Sequence, residues 1–213
     1  MSIVRYEVKD QFGRKADFGR IVCGIGWPAE QPGYAVFIGE EKFPAVGTRV
    51  YHAHLLTELV DVLDAAELIR KCARLAAEYG VQVVSGRRHQ PMIQLLNVLN
   101  AGAHDRHMPE LRVVGEPHSE NGGLIEFHLN LIRDRLSPNS KTLHGVEGTR
   151  LAAHLAECSV DKVHTATDLE YPAIAALGYA VEELALYPTD PNYDPEDECD
   201  PDDYRPRSKQ CGY

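Results

Sequence analysis

The feature that most constrains the fold is residues 20–41, where two apolar runs flank a turn rich in glycine and proline. The runs are Ile-Val-Cys at 21–23 and Tyr-Ala-Val-Phe-Ile at 34–38. Short β-rich runs bounded by glycine and proline predict a pair of strands. A third apolar run at 48–55 follows another break, so we expect the chain to open with three antiparallel strands.

Helices and strands alternate in the pattern that follows. Apolar periodicity predicts helices at 57–79, 91–99, 124–136, 149–158 and 167–186, and short apolar runs predict strands at 81–85, 111–114 and 141–144. In the first helix, Asp64 and Glu67 have the spacing of a capping box, and Gly80 is a natural C-terminal stop. A strand, helix, strand order of this spacing predicts a crossover onto the same sheet.

Composition divides the chain into a lead-in at 1–19, with one short strand at 3–8, a folded domain at 20–187 and an acidic, proline-rich tail at 188–213. The 44% hydrophobic and 25% charged residues are typical of a globular protein. The tail has eight acidic and three basic residues, which account for half of the net charge of −10, and we expect it to be poorly ordered or to lie on the surface. The remaining body is only mildly acidic, which leaves room for a local basic face.

Neither a signal-peptide core nor an apolar run of membrane-spanning length is present in the sequence. We therefore expect a cytoplasmic protein with no membrane partner. The five cysteines are scattered without CxxC spacing, which favours reduced and mostly buried thiols over a zinc motif or a disulfide framework.

No Walker-type phosphate loop and no nucleophile elbow occurs in the sequence. Among ten histidines, His52 and His54 share one face of a predicted strand, and His104, Asp105 and His107 cluster in a predicted loop. Neither group has a recognised metal-ligand spacing. Partly buried or surface histidines are therefore the interpretation that we favour, with a metal site as the alternative.

Two further motifs each have two interpretations. Arg87 and Arg88 follow the strand predicted at 81–85, where ligands bind in open α/β sheets, so they either contact a phosphate backbone or form a solvated basic turn. Residues 167–170, Thr-Asp-Leu-Glu, match a capping box at the start of the last helix. Alternatively, Asp168 and Glu170 approach the edge of the sheet and hold a divalent cation.

The predicted order of elements is that of the α/β ribonuclease H-like fold, a mixed sheet of three antiparallel strands and then parallel strands, flanked by helices. Several segments at about 20–186 together resemble the nuclease domain of the large terminase subunit of tailed bacteriophages. They are Gly-Ile-Gly-Trp at 24–27, Val-Tyr at 50–51, Leu-Ile-Arg-Asp-Arg-Leu at 131–136, residues 148–158, and residues 171–180. No single motif is diagnostic, and the resemblance rests on their order and spacing.

That resemblance implies hydrolysis of DNA by two Mg²⁺ or Mn²⁺ ions held by three carboxylates. The three family positions here read Gly26, Ser85-Gly86 and Tyr171-Pro172, and glycine has no ligand atom. Asp168 and Glu170 remain as the candidate catalytic and metal-binding residues, and with Glu40 and Glu41 they supply one weak site at most. Arg87 and Arg88 are the candidate DNA-binding residues. Magnesium or manganese is expected if the site is active, and no cofactor otherwise.

We therefore expect a pseudo-nuclease domain that binds DNA or phage packaging proteins, such as an ATPase or a portal component, in the cytoplasm of a bacterial host cell. One alternative is an active metal-dependent DNA endonuclease with relocated carboxylates. The other is a non-catalytic interaction module, whose acidic tail mimics DNA or covers the face formed by Arg87 and Arg88. Three missing acids in an otherwise familiar framework favour the pseudo-nuclease hypothesis.

Overall fold

A computed structural model describes residues 2–9, 16–29, 31–42, 51–87, 90–101, 110–114, 124–158 and 166–186. The strands in these segments are β1 (Ser2–Arg5), β2 (Phe18–Gly26), β3 (Gly33–Glu41), β4 (Ala53–Val62), β5 (Val83–Arg87), β6 (Glu110–Val114) and β7 (Leu143–His144). The helices are α1 (Ala65–Tyr79), α2 (Gln90–Ala101), α3 (Leu124–Leu136), α4 (Arg150–Glu157) and α5 (Pro172–Leu186). None of the helices in the described segments is long and apolar enough to cross a membrane.

One mixed sheet organises the molecule, with the strand order β1-β4-β3-β2-β5-β6. Strands β2, β3 and β4 form an antiparallel meander, and β5 and β6 then add in parallel beside β2. On the outer side of β4, β1 pairs antiparallel and β7 pairs parallel. This arrangement confirms the predicted fold class, an α/β ribonuclease H-like mixed sheet flanked by helices.

Helices cover both faces of the sheet, and the alternation of side chains along each strand decides which core each residue joins. Cys23 and Ile25 of β2 pack in the core that includes α1 and α2. Val22 packs in the core that includes α3, α4 and α5. Gly24 and Gly26 alternate with Cys23 and Ile25, so they lie on the α5 face.

The predicted boundary between the third strand and the first helix is wrong. Strand β4 runs over Ala53–Val62, and α1 begins only at Ala65, although a helix was predicted from residue 57. Residues 57–59 pair with β1 on one side and with β3 on the other, so two ladders hold this segment extended. The predicted caps of α1 are confirmed, because the Asp64 side chain accepts from the backbone of Ala66 and Glu67 and Gly80 ends the helix with φ 63°.

The last helix also begins later than predicted, at Pro172 instead of residue 167. Thr167 and Glu170 do interact, but within a turn that precedes the helix: the Glu170 carboxylate accepts from the Thr167 backbone N–H at 2.6 Å. Proline suits the first turn of a helix because its missing N–H would be unpaired there. The other predicted helices and the strands after β4 lie within two residues of their observed ends, and the lead-in strand lies at Ser2–Arg5.

Candidate functional site

The three positions that correspond to the family acids lie together at one end of the sheet. Strand β5 runs parallel to β2, with Ser85 opposite Gly24 and Gly86 opposite Ile25. The first turn of α5 lies directly on Gly26. The structure therefore brings the end of β2, the end of β5 and the start of α5 into one place, where the resemblance to the terminase nuclease implies the three acids.

The backbone of α5 occupies the space that a side chain at Gly26 would need. A Cβ atom built on Gly26 would lie 1.9 Å from the Pro172 carbonyl oxygen, and one built on Gly24 would lie 1.9 Å from the Ala176 carbonyl oxygen. Real Cβ contacts are never this close, so no aspartate fits at Gly26 unless the helix moves away. The two glycines allow α5 to pack directly against β2.

The second family position offers no carboxylate either. Gly86 faces the α2 side, where a Cβ atom would lie 3.1 Å from the Ile25 carbonyl oxygen and 3.6 Å from the Met92 side chain. Strand alternation places Ser85 and Arg87 on the α5 side instead. Ser85 is 2% exposed, and its hydroxyl is a poor ligand for a hard dication.

Asp168 is buried, and its carboxylate is held by two side chains. The Arg87 guanidinium donates to one carboxylate oxygen at 2.8 Å, and the Tyr179 hydroxyl donates to the other at 3.1 Å. Burial, together with the negative charge of Asp168, raises the pKa of Tyr179 well above its usual value. The ion pair balances one negative charge with one positive charge, so Asp168 already has the counter-charge that a metal ion would supply.

Glu170 does not join this ion pair in the described structure. Its carboxylate accepts from the backbone N–H and the hydroxyl of Thr167. The two acids predicted as metal ligands therefore have separate partners, and in the described segments no group of three or more His, Cys, Asp or Glu side chains is arranged to hold a metal ion. Asp168 and Glu170, with these partners, do not fit the two-metal centre that the resemblance implies.

The remaining predicted site residues divide into three groups. Arg87, expected to contact DNA, lies in the ion pair, with 26% of its side chain still exposed. Arg88 and the cluster of His104, Asp105 and His107 lie outside the described residues. Glu40 and Glu41 are both buried, and Glu41 is bonded to His54.

On another side of the α5 N-terminus lies a cavity of about 420 Å³. Carboxylates and aromatic rings dominate its lining: Asp61, Glu157 and Glu170, with Tyr34, His154 and Tyr171. Asp61 pairs with Arg150. The other two carboxylates leave the cavity electrostatically unfavourable for a phosphate group.

Three further groups of polar contacts are not predicted as such from the sequence. The carboxylate of Glu58, 1% exposed, accepts from the hydroxyls of Tyr6 and Tyr34. Burial and Glu58 raise the pKa of both tyrosines.

The second grouping lies between α3 and α5. His128 is fully buried, approaches the Glu182 carboxylate at 3.0 Å and contacts the ring of Tyr179 edge-on at 4.8 Å. Nothing local in the sequence marks this contact.

In the third grouping, His144 lies between His52 and His54. The shared strand face of His52 and His54 was the only signal in the sequence, because His144 comes from a strand about 90 residues away.

Comparison with solved structures finds a likeness of fold. The chain is similar to RuvC of Thermus thermophilus, with a TM-score of 0.40 and 13% sequence identity over 76% of this chain and 94% of that one. No protein-family model matches the chain. No curated protein sequence matches it either.

Proposed function

We propose that the chain is a ribonuclease H-like pseudo-nuclease domain of the terminase type, which binds DNA without cutting it efficiently. The observation that carries this proposal is the position of the Pro172 carbonyl oxygen, 1.9 Å from where the Cβ of a first catalytic acid would stand at Gly26. A framework that keeps the fold but fills the catalytic position with backbone suits binding better than hydrolysis.

Charge balance supports the same proposal. Two divalent ions carry four positive charges, and carboxylates must offset both that charge and the cost of dehydrating the ions. At this end of the sheet Asp168 is already neutralised by Arg87 at 2.8 Å, and Glu170 is bonded to Thr167. Displacing Arg87 to admit a metal ion would leave a guanidinium beside the incoming cation.

The exposed part of Arg87 indicates where DNA would bind. Arginine has five N–H donors, and the ion pair with Asp168 uses Nη1, so other donors of Arg87 can face a phosphate. On the neighbouring cavity side, Glu157 and Glu170 would repel a phosphate backbone. We therefore place DNA at the carboxyl end of β5, where Arg88 follows in the sequence.

The binding half of the proposal is tested by fluorescence anisotropy with duplex DNA over a range of salt concentrations. Arg88→Ala should lower the slope of log affinity against log salt by about 1, because one phosphate contact is lost. Arg74→Ala is the matched control. Arg74 is exposed on α1, across the sheet from α5, and its substitution removes the same charge. Equal effects of the two variants, or no binding by the wild type, would contradict DNA binding at this end of the sheet.

The other half of the proposal, that the chain does not cut DNA efficiently, is tested by nicking of supercoiled plasmid in Mn²⁺. We expect the wild type and Asp168→Asn to nick no faster than a no-protein control. Robust nicking that is lost in Asp168→Asn or Glu170→Gln would instead establish an active endonuclease with relocated carboxylates.

The terminase resemblance alone suggests packaging proteins as partners. It also suggests the cytoplasm of a bacterial host as the location. A phage ATPase or portal component is therefore the partner to test. Retention of the purified chain on an immobilised portal protein or packaging ATPase, against an unrelated acidic protein of similar charge as control, checks this part. Equal retention on all three surfaces would contradict it.

A further inference from the structure

Three histidines meet where the short strand β7 lies beside β4. The ladder between these strands has two residue pairs, Ala53 with Leu143 and His54 with His144. One further backbone bond, from the Ala53 N–H to the Thr142 carbonyl at 2.8 Å, supports the same junction. So short a ladder holds few backbone bonds, and the side chains across it therefore matter for its stability.

The imidazole of His144 lies nearly parallel to both of the others. Its ring centroid lies 4.8 Å from that of His52 and 4.8 Å from that of His54, with interplanar angles of 17° and 25°. The Nδ1 of His52 and the Nε2 of His144 are 2.7 Å apart, so one nitrogen must carry the proton and the other must accept it. Protonating both rings would set two N–H groups and two positive charges against each other.

The surroundings of His54 and His144 oppose protonation of these two rings. The His54 Nε2 lies 2.7 Å from the Glu41 carboxylate, which favours a positive charge, and the ring centroid of Phe18 lies 6.0 Å from that of His54. Burial outweighs Glu41 and lowers the pKa of His54. Burial and the other two imidazoles also lower the pKa of His144, against smaller opposite contributions from Glu41 and Glu147.

We propose that His52, His54 and His144 form an acid-released latch that holds β7 against β4. When the three rings are neutral, His52 and His144 share a hydrogen bond, and His54 packs against His144. When the pH falls, the rings bind protons far more readily apart than together, so proton binding favours the open state. Because β7 lies between α3 and α4, opening the latch frees the connection between these two helices, which contribute to the core formed with α5.

The size of the effect follows from linkage. A histidine whose native pKa is lowered contributes stability that is present above its ordinary pKa of 6.5 and is lost as the pH falls below it. If an imidazole binds its proton only in the open state, lowering the pH from about 7.5 to about 5.0 raises the opening constant up to about 30-fold. Two such imidazoles multiply the effect.

Hydrogen exchange of the Ala53 amide in the full chain tests the latch, because this N–H bonds across the junction. After correction for intrinsic exchange, we expect its protection factor to fall at least about tenfold between pH 7.5 and 5.0. His144→Asn removes the central ring and should reduce this pH dependence by more than half. His154→Asn is the control, since His154 is an exposed histidine on α4, and it should keep the full dependence.

The proposal is overturned if wild-type protection is the same at both pH values, or if His144→Asn retains the whole pH dependence. If His144→Asn does not fold, an NMR titration of the wild-type imidazoles decides instead. The latch requires at least two of the three histidines to titrate below pH 6.5 with coupled curves. Three independent titrations at the ordinary value would refute it.

Discussion

The ion pair between Arg87 and Asp168 gives the sharpest test of how the site is built. Arg87→Met keeps most of the side-chain volume and removes the positive charge. Asp168 is 4% exposed and, of its two partners in the described segments, would keep only Tyr179, so its charge would be left buried and uncompensated. Breaking a buried pair in this way costs about 3–5 kcal/mol. Because Arg87 is 26% exposed, water can partly replace it, and we expect a loss of about 2–3 kcal/mol.

Urea unfolding at neutral pH measures this loss. Asp168→Asn, made alone and together with Arg87→Met, completes a double-mutant cycle. Once the buried charge is gone, the guanidinium is no longer needed, so the double variant Arg87→Met, Asp168→Asn should be more stable than Arg87→Met alone. We expect a coupling free energy of at least about 1 kcal/mol. The reasoning that Arg87 neutralises Asp168 would be refuted if the free energy of unfolding of Arg87→Met lay within about 0.5 kcal/mol of the wild-type value. Additive losses of stability from Arg87→Met and Asp168→Asn would refute it too.

Three further predictions concern close packing and titration. Gly26→Ala should destabilise the fold by about 3 kcal/mol because α5 must move, whereas Gly86→Ala, with more room, should cost clearly less in the same urea assay; equal costs would contradict the close approach of α5. The free energy of unfolding should fall as the pH rises above about 10, because the unfolded chain releases the Tyr34 proton that the native protein retains. Tyr34→Phe should make this fall smaller, and an unchanged pH dependence in Tyr34→Phe would contradict the prediction. Gly178→Ala should cost about 2 kcal/mol, and His128→Ala should relieve part of that cost, since a Cβ at Gly178 would lie 2.1 Å from the His128 ring; strictly additive losses would argue against this contact.

Local signals in the sequence predicted local structure well. The caps of α1 at Asp64 and Gly80 are correct because each depends on a few neighbouring residues and on backbone geometry that glycine and aspartate favour. The same locality explains the error at residues 57–62. Their helical pattern is overridden by ladders to β1 and β3, and the partners in those ladders lie far away in the sequence.

The candidate site shows the same limit. Arg87 and Asp168 were singled out separately, one for DNA and the other for a metal ion, yet they bond each other across 81 positions. The glycine at position 26 was recognised as a missing ligand, but the Pro172 carbonyl against it depends on how α5 packs, which no local pattern encodes. The order of elements was enough to predict the fold class, whereas the chemistry of the site depended on contacts between elements.

The central claim is that the end of β2 and the start of α5 form a closed framework in which Arg87 stands in for a metal ion. A crystal of the chain soaked in Mn²⁺ tests it most directly, through the anomalous signal of manganese near Gly26 and Asp168. The account predicts no manganese there and an intact bond between Arg87 and Asp168. Two manganese ions about 4 Å apart at this position, with Asp168 among their ligands, would contradict it.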